Sequence, residues 1–200
     1  IAFYVTGSSR SILSSERLVL NFMQRMSGIA TKTHELAKII AHLPTKLLDT
    51  RKTTPGIRIM EKWAVTIGGG NNHRFALYDM IMVKDNHVDY AGGIAQAIER
   101  TNAYLKEKGK SLKIEIETRN LDEVKQVLAV GQVDRIMLDN FTPDQIREAL
   151  TLIDRNKYET EASGGIAEDT ILAYAETGVD FISSGALTHS YKSLDLSLKA

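Results

Sequence analysis

Two hundred residues, 43% of them hydrophobic and none of them cysteine, can bury one substantial core and exclude disulfides, zinc–thiolate sites and a thiol nucleophile. Lys plus Arg and Asp plus Glu both number 25, so the formal charge is zero and no broad basic face for nucleic acid is indicated. No apolar run approaches the ~20 residues needed to span a bilayer and no signal-type segment leads the chain, so a cytoplasmic protein without a membrane partner is expected.

The opening IAFYVTGSSRSIL has no methionine and reads as a strand entering a turn, which suggests a start inside a longer polypeptide. Ser14, Ser15 and Glu16 offer a helix entry, after which Leu18, Phe22 and Met26 recur at helical spacing beside Arg17 and Arg25. Gly28 is expected to interrupt this helix, with a second stretch over 31–42 that Pro44 closes. A strand at Leu47 and Leu48 ends in Asp49, Thr50, Arg51 and Lys52, and Pro55-Gly56 opens a helix through Trp63.

The stretch 68–87, GGGNNHRFALYDMIMVKDNH, joins flexible backbone, cationic side chains and a strand in one short span. Three glycines let the main chain approach a ligand closely, and His73 and Arg74 follow at once. The apolar run 80–83 reads as a strand buried on both faces, and it closes in Lys84, Asp85, Asn86 and His87. A lysine in that place is expected to point into a barrel mouth.

Strand and helix patterns then alternate: a helix over 92–106, a strand over 112–117 and a helix over 121–130. They continue with 135–138, 143–153, 157–162 and 168–175, and a last strand spans 180–184. This order implies parallel strands with right-handed crossovers. The expected fold is an irregular α/β barrel of about six or seven parallel strands, with an open doubly wound sheet as runner-up. Each expected strand end carries polar residues, where α/β barrels place their chemistry.

The turns EASGGI, with Ser163, Gly164 and Gly165, and SSGA, with Ser184 and Gly185, have the small residues that let backbone N–H groups and a helix N-terminus hold a phosphate. Arg51, Arg74 and Lys84 suit a substrate with several negative charges. Glu115 and Asp139 offer the hard oxygen ligands that Mg²⁺ takes beside a pyrophosphate. His73 and His189 sit among motif residues as hydrogen-bond donors, whereas His34 and His42 read as helix-surface residues.

Seven motifs in order, LDTRKTTPG, KWAV with GGGNNHR, LYDMIMVKDNH, IEIE, IMLDN, EASGGI and TGVDFISSGALTHS, resemble the quinolinate phosphoribosyltransferase family. The resemblance implies transfer of a phosphoribosyl group from phosphoribosyl pyrophosphate to quinolinate with decarboxylation, giving nicotinate mononucleotide in NAD biosynthesis. It implies that Arg51, His73, Arg74 and Lys84 contact the quinolinate carboxylates, with Thr50 and Lys52 nearby and Arg17 reaching in from a partner subunit. It further implies that Glu115 and Asp139 serve Mg²⁺ and the ribose, and that Ser163, Gly164, Gly165, Ser184, Gly185 and His189 line the phosphate side. Lys84, Glu115 and Asp139 are then the expected catalytic groups, in a homodimer or higher oligomer with shared sites.

In domain terms the resemblance implies a remnant of an N-terminal α/β sandwich domain with its connecting helix over 1–30. A barrel over 31–185 follows, then a tail over 186–200 that returns toward the N-terminal part. Phe75-Ala76 departs from the family pattern, which has a small, Gly-containing pair there. A molybdenum-linked paralogue of the same fold and a non-catalytic phosphate-binding barrel are the alternatives.

Overall fold

The computed structural model describes residues 1–199; Ala200, the last residue of the expected tail, lies outside them. Its first regular element is α1 (Ser9–Ile39), 31 residues long and followed by β1 (Lys46–Leu48). Residues 1–8 do not form the strand expected from the sequence: among the described residues no strand pairs with their backbone, and Ile1 and Tyr4 are exposed.

Gly28 does not interrupt α1. A Cβ at that position would collide with the Lys192 carbonyl oxygen and come within 3.0 Å of Tyr191 Cδ2, so the glycine marks the crossing of the C-terminal segment over the helix. A mid-helix glycine costs about 1 kcal/mol relative to alanine, and close packing against the tail is what it permits. The tail is tied there by Leu194 N–H donating to the Gln24 carbonyl at 3.2 Å and Leu196 N–H to Gln24 Oε1 at 3.0 Å.

The chain continues through α2 (Arg58–Ile67), β2 (Ile81–Val83), α3 (Asp85–Ala91), α4 (Ile94–Glu107), β3 (Ile114–Thr118) and α5 (Leu121–Val130). It ends with β4 (Arg135–Asp139), α6 (Pro143–Leu152), β5 (Glu159–Ser163), α7 (Ile171–Ala175), β6 (Phe181–Ser183) and α8 (Ala186–His189). Local chemistry accounts for the boundaries. Asn120 caps α5 by accepting the Glu123 N–H, and Thr142 with Gln145 makes a reciprocal box at α6, with Pro143 in its first turn. The helix expected over 92–106 is α4, and a further helix that the sequence reading did not give, α3, precedes it, the two being separated by Gly92 at φ +96° and Gly93 at φ +134°.

All six strands are parallel, in the order β1-β6-β5-β4-β3-β2. Followed around, this is the chain order closing on itself, with one seam between β1 and β2, which is the barrel topology rather than the doubly wound one. The seam is narrowed by a parallel bridge from Leu48 to Asn71, in which Asn71 N–H donates to the Leu47 carbonyl at 2.8 Å and Asp49 N–H to the Asn71 carbonyl at 3.0 Å. β2 is therefore an edge strand, with Ile81 and Met82 half-buried rather than buried on both faces.

Side chains alternate across each strand. Ile116, Ile136, Leu138, Ala162 and Ile182 join Ile98, Val124, Val127, Ile146 and Ala149 of the surrounding helices in one apolar core. The intervening residues are Glu115, Glu117, Arg135, Glu161 and Ser183, all buried, so the barrel interior is charged. That charged interior is the floor of the site.

Candidate active site

One cavity of about 680 Å³ opens where the carboxyl ends of the strands converge. Thr50, Arg51 and Lys52 enter it from the end of β1, His73 and Arg74 from the seam segment, and Lys84 from the end of β2. Glu117, Asp139 and Asn140 come from β3 and β4, and Ser163, Gly164, Gly165, Ser184, Gly185 and His189 from the last two turns. Every residue named from the sequence lines this space except Arg17 and Glu115.

The cationic wall holds more positive charge than its own carboxylates balance. Lys84 donates to Glu117 Oε2 at 2.8 Å, and its side chain remains 47% exposed. Arg74 donates to the Met80 carbonyl at 3.3 Å. Burial and the charge of neighbouring Arg51 hold Arg74 below the usual guanidinium range. Arg51 Nε is buried without a hydrogen-bond partner among the described residues. Two crowded guanidiniums and an unsatisfied charged donor at one mouth make a site that an anion would stabilise.

His73 lines the cavity and is also held by the protein. Its Nδ1 accepts the Arg74 N–H at 2.6 Å, and its Nε2 lies 2.9 Å from Glu115 Oε2 and 3.3 Å from Glu161 Oε2, so both ring nitrogens face the protein. Burial lowers the affinity of His73 for a proton, but hydrogen bonds and charge from Glu115 and Glu161 outweigh it and raise the pKa to about 9. Burial and the charge of Glu161 in turn push Glu115 up to about 7. Arg135, 3.0 Å from Glu161, supplies the remaining cation. One extra proton makes the cluster neutral whether it sits on Glu115 or on His73, so the proton belongs to the pair.

Glu115 is fully buried beneath this floor and does not line the cavity; its carboxylate clusters with His73 and Glu161, ligand atoms of the three lying within 4.8 Å of one another. The two glutamates of β3 face the same side, and Glu117, one layer nearer the mouth, is the one that lines the cavity. Asp139 is half-buried there, with its Oδ2 taking the Asn140 side-chain amide at 2.6 Å. Glu117 and Asp139 both line the cavity as hard oxygen donors, the ligand type that Mg²⁺ takes.

Opposite the cations, Gly164 at φ +98° and Gly165 at φ +61° turn the chain after β5. A Cβ on Gly164 would come within 2.8 Å of the Asn140 backbone nitrogen, and one on Gly185 within 2.8 Å of Lys52 Cδ. No main-chain bond takes up the Gly164, Gly165 or Gly185 N–H groups among the described residues. α7 begins only at Ile171 and α8 is a single turn, so the turn amides replace the helix N-terminus expected from the sequence.

Arg17 is exposed on α1, outside the cavity of its own chain. Arg25, two turns on, is the helix residue that reaches the site's edge: it pairs with Glu61, bonds to Thr54 and stacks 5.0 Å from the Tyr191 ring centroid. The departure at Phe75-Ala76 is accommodated by Asp79, which accepts both amides at 2.5 and 2.8 Å, and by Arg58 lying 5.9 Å from the Phe75 ring. Sequence reading assigned nothing to Arg25, Glu61, Lys62, Glu117, Asn140 or Glu161 as site residues. Glu117, Asn140 and Glu161 carried a signal, as members of strand-end motifs.

A family model for the quinolinate phosphoribosyl transferase C-terminal domain matches residues 29–199. A chloroplastic nicotinate-nucleotide pyrophosphorylase (carboxylating) of Arabidopsis thaliana is 48% identical over 209 aligned residues, covering 98% of this chain and 59% of that protein. A probable enzyme of the same name from Bacillus subtilis is 46% identical, covering 96% of this chain and 65% of that protein. The crystal structure of NadC from Streptococcus pyogenes superposes with a TM-score of 0.89 at 45% identity, over 97% of this chain and 66% of that one. The Francisella tularensis nicotinate-nucleotide pyrophosphorylase superposes at 0.85 with 49% identity, over 94% of this chain and 65% of that one. The chain thus spans a little under three fifths of the length of its plant relative.

Proposed function

The chain belongs to the quinolinate phosphoribosyl transferase family, through that family's C-terminal domain, and from this premise we propose that its protein transfers a phosphoribosyl group to quinolinate with loss of CO₂. The observation that carries the reading is the crowding of Arg51 and Arg74 at a mouth shared with Lys84, facing amide-lined glycine turns across the cavity. A pyridine dicarboxylate fits the first wall and a sugar phosphate the second.

The ring nitrogen attacks the anomeric carbon of phosphoribosyl pyrophosphate as the bond to pyrophosphate breaks. The carboxylate beside that nitrogen then leaves as CO₂, its bonding pair stays on the ring carbon next to the cationic nitrogen, and a proton takes its place. Arg51, Arg74 and Lys84 hold the two carboxylates, which fixes the nitrogen toward the sugar. Ser163, Gly164, Gly165, Ser184 and Gly185 cradle the 5′-phosphate, with Lys52 and His189 at the edge. Asp139 and Glu117 would hold Mg²⁺, which supplies charge neutralisation to the departing pyrophosphate. No residue is required as a covalent nucleophile.

A homodimer or higher oligomer with shared sites belongs to the same proposal. Arg17 lies outside its own cavity, on a helix whose Leu13 and Leu18 are 72% and 64% exposed. Among the described residues no helix is long and apolar enough to cross a membrane. A cytoplasmic location, favoured by the absence of cysteine, completes the reading, although the Arabidopsis relative is named as chloroplastic. The test is an assay of the full-length protein for quinolinate-dependent release of pyrophosphate and CO₂. Turnover of nicotinate equal to that of quinolinate would refute it, because one carboxylate fewer leaves buried cations unpaired.

A further inference from the structure

Lys62 is 1% exposed and Asp49 is fully buried, yet neither touches the cavity. Lys62 rises from α2 and its Nζ donates to Asp49 Oδ1 and, at 3.0 Å, to the His73 carbonyl. The same Asp49 oxygen accepts the His73 N–H at 2.8 Å. With its amide oriented to satisfy both partners, Asn72 donates to Asp49 Oδ2 at 2.7 Å and to the Lys62 carbonyl at 2.9 Å. The two charges therefore grip both main-chain groups of His73 and the side chain of Asn72.

This grip lies at the seam, where β1 and β2 share no ladder and one bridge at Asn71 is the main-chain link. Asp49 immediately precedes Thr50, Arg51 and Lys52, and His73 immediately precedes Arg74. The pair thus fixes the distance between the two guanidinium-bearing segments. Burying a lysine and an aspartate together gives little net stability, and apolar residues of like volume often do as well. Burial pushes Asp49 upward and Lys62 downward, each toward its neutral form. A stability role alone accounts poorly for such a pair.

We propose that the buried Lys62–Asp49 pair is a positioning device: it closes the barrel seam by its hold on His73 and so sets Arg74 against Arg51 for the dicarboxylate. The proposal rests on the reading of Arg51 and Arg74 as the carboxylate site. It assigns Lys62 and Asp49 no contact with substrate.

Two variants of the full-length protein test it, Lys62→Met and the charge-neutral double variant Asp49→Asn with Lys62→Met. The double variant leaves no buried charge unpaired, so it remains informative if the single variant unfolds. In it, melting temperature should return close to wild type, while KM for quinolinate stays raised by about tenfold or more and KM for phosphoribosyl pyrophosphate stays within about twofold. Amide exchange at His73 and Arg74 should quicken by a similar factor, with exchange in β3 to β5 unchanged. Recovery of the quinolinate KM with stability would show the pair to be structural only and overturn the proposal. A parallel rise of both KM values would also overturn it. The exchange measurement needs no substrate: if wild type does not turn over quinolinate, unaltered His73 and Arg74 exchange still refutes the clamp and quickened exchange still supports it.

Discussion

Replacing Lys84 by alanine separates a ligand-binding lysine from a structural one. The side chain is 47% exposed and its partner Glu117 faces the same open cavity, so the ion pair contributes in the range of exposed pairs, under about 1 kcal/mol. For a chain of this size that is no more than about 4 °C in melting temperature. A charge-assisted hydrogen bond from Lys84 to a carboxylate is worth about 1.5–3 kcal/mol, which converts to about 10- to 150-fold in kcat/KM for quinolinate. Thermal unfolding, phosphoribosyl pyrophosphate binding and quinolinate turnover are measured on the same preparation of full-length Lys84→Ala. A fold-intact variant with intact phosphoribosyl pyrophosphate binding and a loss of at least about tenfold is expected. Near-normal turnover, or a loss matched by a large drop in stability, would refute the reasoning.

Three further outcomes are expected. Gly28→Ala should lower melting temperature and expose residues 190–199 to protease, because the clash with Lys192 exceeds the ~1 kcal/mol gain in helix propensity; a stabilised variant with a protected tail would show the crossing to be loose. In the folded cluster His73 and Glu115 bind protons more tightly than in the unfolded chain, raised to about 9 and about 7, while for Glu161 burial is outweighed by the hydrogen bond and charge of His73, which lower it. Stability should therefore fall as pH rises from about 4.5, where an unfolded glutamate titrates, to about 9, and Glu115→Gln should flatten that dependence; an equal slope in both proteins would remove the cluster as its source. Mixing full-length Arg17→Ala with full-length Lys84→Ala under subunit exchange should restore about one quarter of wild-type activity if Arg17 serves a neighbouring site, and none if it serves its own.

The sequence by itself determined the six strands to within one or two residues, their parallel order and the end at which the polar residues gather. Each of those follows from local pattern: short apolar runs, helical spacing between them and small or charged residues after each run. Arg51, Arg74, Lys84 and the two glycine turns were legible for the same reason, since each closes a strand or opens a turn. The continuity of α1 through Gly28 was not, because what the glycine accommodates is a carbonyl at Lys192, far along the chain. Nor could the sequence distinguish Glu115 from Glu117. Both carry the same period and the same face, and only closure of the barrel puts one under the floor and the other at the mouth. His73 shows the same limit: a histidine beside arginine in a glycine-rich stretch reads as a ligand contact, and only the closed barrel shows that its ring, while lining the cavity, also faces Glu115 and Glu161. Which charged residues are spent on one another and which are left for a substrate is a property of the closed barrel, where electrostatic partners come from different strands.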